Sequence, residues 1–197
     1  MTWRDRILVD GSDRDAWAIA RRDVIGAYDA KSLSKMQSVD KYLLAKLKDG
    51  TFRGTEATRQ GHRWEPMMLA WAGIYENKAL VHSPLERGFA ATPDGIGNGY
   101  IAECKAKQNL VVKGPTLPEK RQIAWQFLCL PEFDRMQWIW MEIDEHGEPF
   151  HAEPKYVEFR RDDRELVDLT QRMLPIATDL LARLRAARAF EQELNAA

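Results

Sequence analysis

The sequence predicts an α/β (α+β) fold in which a central mixed β-sheet is flanked by helices. Three observations carry that expectation. The patterns run in the order helices, strands, helix, strands, helix along the 197 residues. Asn98-Gly99 stands between two short extended runs, a strong signal for a two-residue hairpin turn. Helical periodicity returns in a last long segment, after the strands have ended. A chain with 45% hydrophobic and 30% charged residues suits one domain, residues 1–197, able to bury a core without disulfides or metals. Within it we expect a helical part over about 1–78, a sheet core over about 79–160 and a C-terminal helix over about 163–194.

The elements follow in order. "DRDAWAIARRDVIGAYDAKSL" reads as a short helix, a loop and a further helix start. Residues 36–49 place Val39, Leu43, Leu44 and Leu47 on one helical side, and Gly50 is a stop signal. A stronger helix runs from Thr55, a good cap, to about Asn77, with Trp64, Met68, Trp71 and Tyr75 at helical spacing and Pro66 predicting a kink. Residues 79–91 read as a strand region, and Tyr100 to Lys105 alternate as a strand after the Asn98-Gly99 turn. "PEKRQIAWQFLCL" reads as a helix, "RMQWIWMEID" as a strand, "EHGE" as a turn and "PFHAEPKYVEF" as the returning strand. Asp162 or Asp163 starts the final helix, with a second kink near Pro175.

Composition excludes some classes. Cys104 and Cys129 are the only cysteines, match no zinc or iron–sulfur spacing and suit a reducing compartment. "MTWRDRILVDGSDRD" lacks the apolar centre of a signal peptide, and no run reaches the ~18 apolar residues of a membrane helix. A soluble, cytoplasmic protein without membrane contact is expected. The formal net charge of −1 gives no support to a non-specific DNA coater, which should be basic. Locally, however, Lys105, Lys107, Lys113, Lys120 and Arg121 face Glu119 alone between Cys104 and Arg121. His62, His82, His146 and His151 form no ligand cluster.

The segment "TPDGIGNGYIAECK" concentrates the chemistry. Residues i and i+2 of a strand share a face, so Glu103 and Lys105 point one way and Cys104 the other. The hairpin folds Asp94 back beside them. Two carboxylates brought together repel unless a cation lies between them. Oxygen-only ligation suits Mg²⁺, with Mn²⁺ as substitute, and the Cys104 backbone carbonyl can add another oxygen. Lys105 can steer a water, help to deprotonate it or offset phosphate charge. Such an assembly is suited to hydrolysing a phosphodiester.

Pro93-Asp94, eight intervening residues and Glu103-Cys104-Lys105 resemble the motif of the PD-(D/E)XK nuclease superfamily. Within it, roughly residues 15–145 resemble the phage lambda exonuclease/YqaJ group. The likeness rests on Trp17-x-x-x-Arg21, Ile25-Gly26-Ala27, Gly61-x-x-x-Glu65, "TPDG", "ECK" and a helix bearing Gln122 and Gln126. It implies a restriction-endonuclease-like core in which Glu65 joins Asp94 and Glu103 at the metal. It also implies that Gln122 or Gln126 serves the site and that Arg21, with Arg22 as substitute, holds the 5′-phosphate of a DNA end. Two positions depart from the group. Tyr28 stands where lambda-like members carry a serine, and Ala124 where they carry a second glutamine.

The expected function is therefore that of a metal-dependent DNA exonuclease, 5′→3′, acting on double-stranded ends and leaving 3′ single strands. The resemblance further implies a single-strand annealing protein as partner and a ring-shaped homo-oligomer. The rival readings are a restriction-type or RecB-like endonuclease of the same superfamily, and a non-catalytic DNA-binding module with this fold.

Overall fold

The fold comes from a computed structural model, which describes residues 2–48, 56–97, 99–108 and 111–196, without the side chains of 56–60. A 3₁₀ turn over Trp3–Arg6 precedes β1 (Ile7–Val9), α1 (Arg14–Arg22), β2 (Ile25–Gly26) and α2 (Ala27–Ala30). Next come α3 (Val39–Leu47), α4 (Glu56–Ala72), β3 (Tyr75–Glu76), β4 (Leu80–His82), β5 (Phe89–Ala91) and β6 (Gly95–Gly97). The chain then forms β7 (Tyr100–Gln108), α5 (Leu117–Cys129), β8 (Arg135–Ile143), β9 (Lys155–Arg160) and α6 (Arg164–Ala196).

The α+β class holds, with the strands divided between two mixed sheets. One has the order β1-β4-β5-β2 and the other β3-β6-β7-β8-β9. The larger sheet is built on the parallel pair β7–β8, in register from Tyr100↔Arg135 to Gln108↔Ile143. Both its faces are covered, as parallel pairing requires. Ile101, Met136, Trp138 and Trp140 join the main core with α5 and α6. Ala102, Cys104, Ile139 and Met141 pack with Met68 and Leu69 of α4 on the other face. Period-two alternation thus sends neighbouring residues of β7 to opposite sides.

Local chemistry explains where the helices begin. The Asp13 carboxylate accepts from the Asp15 and Ala16 amides and caps α1. At α5, Glu119 reaches back to the Thr116 amide at 2.9 Å, completing a capping box behind a proline in the first turn. Trp125 is fully buried and donates from Nε1 to the Ala90 carbonyl at 3.1 Å, tying α5 to β5. The helix α6 buries Leu166, Leu169, Met173, Ile176, Leu180 and Leu184 and runs through Pro175.

Several expectations change. The part expected to be helical, 1–78, also contains β1, β2 and β3. The helix expected to reach Asn77 stops at Ala72, because Gly73 adopts φ +66. Tyr75 consequently lies on an edge strand, 77% exposed, instead of extending the helical stripe. In α3, Leu44 is exposed, while Lys46 is buried with its ammonium 2.8 Å from the Asp29 carboxylate. The strand returning to β8 starts only at Lys155, and Pro149 makes an isolated bridge to Ile143. Thr55, Gly50 and Asn98 lie outside the described residues.

Arg6 shows how the termini of these elements are joined. It is 1% exposed, forms a bidentate pair with Glu132 at 2.6 and 2.7 Å and donates to the carbonyls of His82 and Cys129. Arg6→Ala leaves two buried carbonyls and a carboxylate unanswered. Urea denaturation should show a loss of about 3 kcal/mol. A change below about 0.5 kcal/mol, the usual range for surface substitutions, would show that the cluster is not structural.

Candidate active site

The β6–β7 hairpin pairs Gly95 with Ala102, Ile96 with Ile101 and Gly97 with Tyr100, so only residues 98 and 99 connect the strands. Gly99 has φ +80, as a two-residue hairpin turn needs. Asp94, just before β6, is thereby brought to β7. Its Oδ2 accepts from the Cys104 amide at 2.7 Å. A second clamp comes from Asn77, which the sequence reading passed over. Its amide N–H donates to the Asp94 carbonyl at 2.8 Å and its Nδ2 to the Pro93 carbonyl at 2.9 Å. Gly95 allows α4 to approach, since a Cβ there would meet Leu69 Cδ2 at 2.6 Å and Ile74 Cγ2 at 2.7 Å.

Glu103 is 2% exposed. Gln122 donates from Nε2 to its Oε1 at 2.6 Å, and Gln126 donates to its Oε2. Both glutamines therefore serve the carboxylate, because residues four apart lie on one helix face. Ala124 points away from Glu103 into the main core. A carboxylate only accepts, so each glutamine turns its NH₂ inward. Their Oε1 atoms are left buried with no partner among the described residues. The Lys105 ammonium forms a short ion pair with Glu103 and also donates to the Cys104 carbonyl at 3.1 Å.

Glu65, on α4, has a side chain 20% exposed and an oxygen 3.8 Å from His62 Nδ1. Burial, followed by the charge of Glu103, pushes its carboxyl up to about 7. Burial, then Glu103, also raises Asp94 well above the usual carboxylate range. Burial disfavours the Lys105 ammonium, but Glu103 and Asp94 more than offset it and hold it above the ordinary lysine range. Burial, then Asp94, drives the Cys104 thiol up, so it stays neutral.

Three carboxyl groups here face one ammonium, and the donors are all oxygens. That chemistry fits a hard divalent cation. As they stand, no three His, Cys, Asp or Glu side chains among the described residues are gathered closely enough to hold one. Glu103 and the Cys104 carbonyl, two of the expected ligands, are both engaged by Lys105.

The residues expected to hold a terminal phosphate divide. The Arg21 guanidinium lies 5.4 Å from the Trp17 ring centroid and 5.6 Å from that of Tyr28. Tyr28 is 63% exposed. Arg22 instead lines a pocket with Asp23 and Arg188 of α6. Lys31, also passed over in the sequence, places its ammonium 5.1 Å from the Tyr28 centroid. Its signal was the i,i+3 spacing from Tyr28 across a helical turn.

No protein-family model matches the sequence, and no curated protein matches it. Among solved structures the chain is similar to LHK-Exo, crystallised in complex with dAMP. The TM-score is 0.62 at 16% identity, over 92% of this chain and 100% of that one. It is similar also to a phage-related exonuclease from Haemophilus somnus 129PT, with a TM-score of 0.58 at 12% identity over 93% of each chain. No helix among the described residues is long and apolar enough to cross a membrane. The arrangement of two mixed sheets flanked by helices is thus the fold of these two exonucleases.

Proposed function

We propose that the chain is a Mg²⁺-dependent deoxyribonuclease that degrades linear duplex DNA from its ends, 5′→3′, leaving 3′ single strands for recombination by strand annealing. One observation carries the reading: the carboxyl groups of Asp94, Glu103 and Glu65 act on one another electrostatically around the single ammonium of Lys105. A structural ion pair has no need of such an acidic excess, whereas phosphodiester hydrolysis has a use for each group. The fold shared with two exonucleases supports the reading.

Asp94, Glu103, Glu65 and the Cys104 carbonyl would hold Mg²⁺, or Mn²⁺ in its place. The metal supplies charge stabilisation at the scissile phosphate and makes a bound water more acidic. The protein's own residues do the rest. Lys105, kept as an ammonium by Glu103 and Asp94, orients the attacking water and offsets charge on the phosphate. Gln122 presents a buried, unpartnered Oε1 that can accept from that water, while Gln126 keeps the second Glu103 oxygen in place. Arg21 holds the terminal phosphate, and the Tyr28 hydroxyl takes the donor role of a smaller side chain. On the same reading a single-strand annealing protein is the partner, a ring of identical subunits the working assembly, and the cytoplasm the place of action.

The direct test compares linear and covalently closed circular duplex, with Mg²⁺ and with chelator. Linear DNA should yield mononucleotides only with metal, and the circle should survive; cutting of the circle would favour an endonuclease. Metal-dependent thermal stabilisation without cleavage of either substrate would favour a non-catalytic binding module. Asp94→Ala and Lys105→Ala should each lower the rate at least about 100-fold. Digestion by Lys105→Ala at the wild-type rate would remove the assignment of the lysine.

Arg21→Ala should abolish any preference for 5′-phosphorylated over 5′-hydroxyl ends. Equal wild-type rates on both ends would remove the anchor role. Without divalent ions, Lys105→Ala should also unfold more easily by about 3 kcal/mol, since it strands a buried carboxylate. Millimolar Mg²⁺ should restore much of that loss in thermal denaturation. No recovery would count against a metal at this centre.

A further inference from the structure

Lys31 is a cation near the centre that the mechanism above does not use. It follows α2, and its carbonyl accepts from Arg121 Nη1 at 3.0 Å. Arg121 and Gln122 are consecutive in α5, so the helix that grips Glu103 also fixes the backbone of Lys31. Its ammonium is half-buried over the Tyr28 ring, and no ion pair among the described residues includes it. The charges it senses, after burial itself, are Lys105, Glu103, Glu119 and Lys107, all of the reacting side of β7 and α5.

Each nearby carboxylate is already engaged. Glu103 is held by Lys105, Gln122 and Gln126. Glu119 is held by Lys107 and by the Thr116 amide and hydroxyl. Asp29 is held by Lys46 at 2.8 Å and by the Gly26 amide at 2.7 Å. Glu103 and Glu119 oppose the repulsion from Lys105 and Lys107, but neither is free to pair with Lys31 directly. A half-buried cation so placed is stabilised by an anion brought from outside, and a lysine ammonium is a compact point charge well suited to phosphate.

We propose that Lys31 is a DNA-binding residue that holds the scissile phosphate, the one next to the 5′-terminal phosphate, from the Arg21 side of the Glu103–Lys105 centre. Arg21 and Lys31 approach the same exposed ring, at 5.6 and 5.1 Å from its centroid, so Tyr28 spaces two cations along one strand. Lys31 has Lys105 and Glu103 among its electrostatic neighbours, which places it on the scissile side. The inference rests on the nuclease reading, and its consequence differs from that of Arg21: an internal phosphate is present whatever the end carries.

The test uses the full chain with Lys31→Ala, Lys31→Arg and Arg21→Ala. Initial rates are measured on linear duplexes with 5′-phosphate and 5′-hydroxyl ends, and duplex binding is measured in Ca²⁺ across a salt series. Lys31→Ala should lower kcat/KM roughly 10- to 100-fold by the same factor on both ends, and reduce the slope of log K against log salt by about one. Lys31→Arg should keep the slope, and the melting temperature of Lys31→Ala should stay within about 2 °C of wild type, a surface-like effect. An unchanged rate and slope would overturn the proposal. So would a loss confined to 5′-phosphorylated ends, or a fall in melting temperature with the slope unchanged. If wild type binds duplex without cutting it, the nuclease reading fails and the salt slope still decides Lys31. If wild type does not bind duplex, both fall.

Discussion

Glu103 carries a carboxylate into a sheet covered on both faces, and a buried charge is tolerated there only when its oxygens are answered. The answer comes from three side chains. Lys105 lies two residues on along the same strand, and Gln122 and Gln126 descend from α5 one turn apart. That requirement sets the position of α5 over the sheet. The helix is held there by its capping box at one end and by Trp125 on the Ala90 carbonyl in its middle. Arg121 extends the same frame outward to α2. The side chains that satisfy one carboxylate therefore also set the distance between the acidic centre and the Arg21–Tyr28–Lys31 surface.

The other face of the sheet imposes a different constraint. The residues of β7 that point to α4 are Ala102, Cys104 and Ala106, small enough for the helix to settle closely. Gly95 removes the last obstacle on β6. Close packing brings Glu65 within electrostatic reach of Glu103, and burial and that like charge both raise its carboxyl. Asn77 then holds the Pro93-Asp94 bend against the same edge with two hydrogen bonds. The acidic centre is thus a product of packing as much as of motif. Its repulsion is sustained by an interior that leaves the carboxylates nowhere else to turn.

Much of this architecture was legible from residues near one another in the chain. The helical segment from Pro118 and the alternation along β7 are local signals, and each marks its element correctly. The spacing of Asp94, Glu103 and Lys105 likewise follows from a short hairpin. Glu65, Gln122, Gln126 and Arg21 needed a likeness to known nucleases, because a glutamate or glutamine on a helix is by itself unremarkable. The strands β1, β2 and β3 escaped notice because two or three residues are too few to show a period. The end of α4 was overrun because the hydrophobic stripe continues past Gly73, while backbone conformation does not.

What the sequence by itself determined is the set of local conformations and the chemistry of the segment from Asp94 to Lys105. Hydrogen-bond caps, side-chain period and turn stereochemistry act over a few residues and can be read without knowing the fold. Only the tertiary structure decided which distant groups meet. It sent Arg22 toward α6 while Arg21 faces Tyr28, buried Lys46 on Asp29, and gave both Glu103 oxygens a glutamine. It also left Lys31 half-buried without an ion-pair partner among the described residues, because every carboxylate near it was already taken. Such choices depend on which charges remain uncompensated once the core has closed, and that balance exists only in three dimensions.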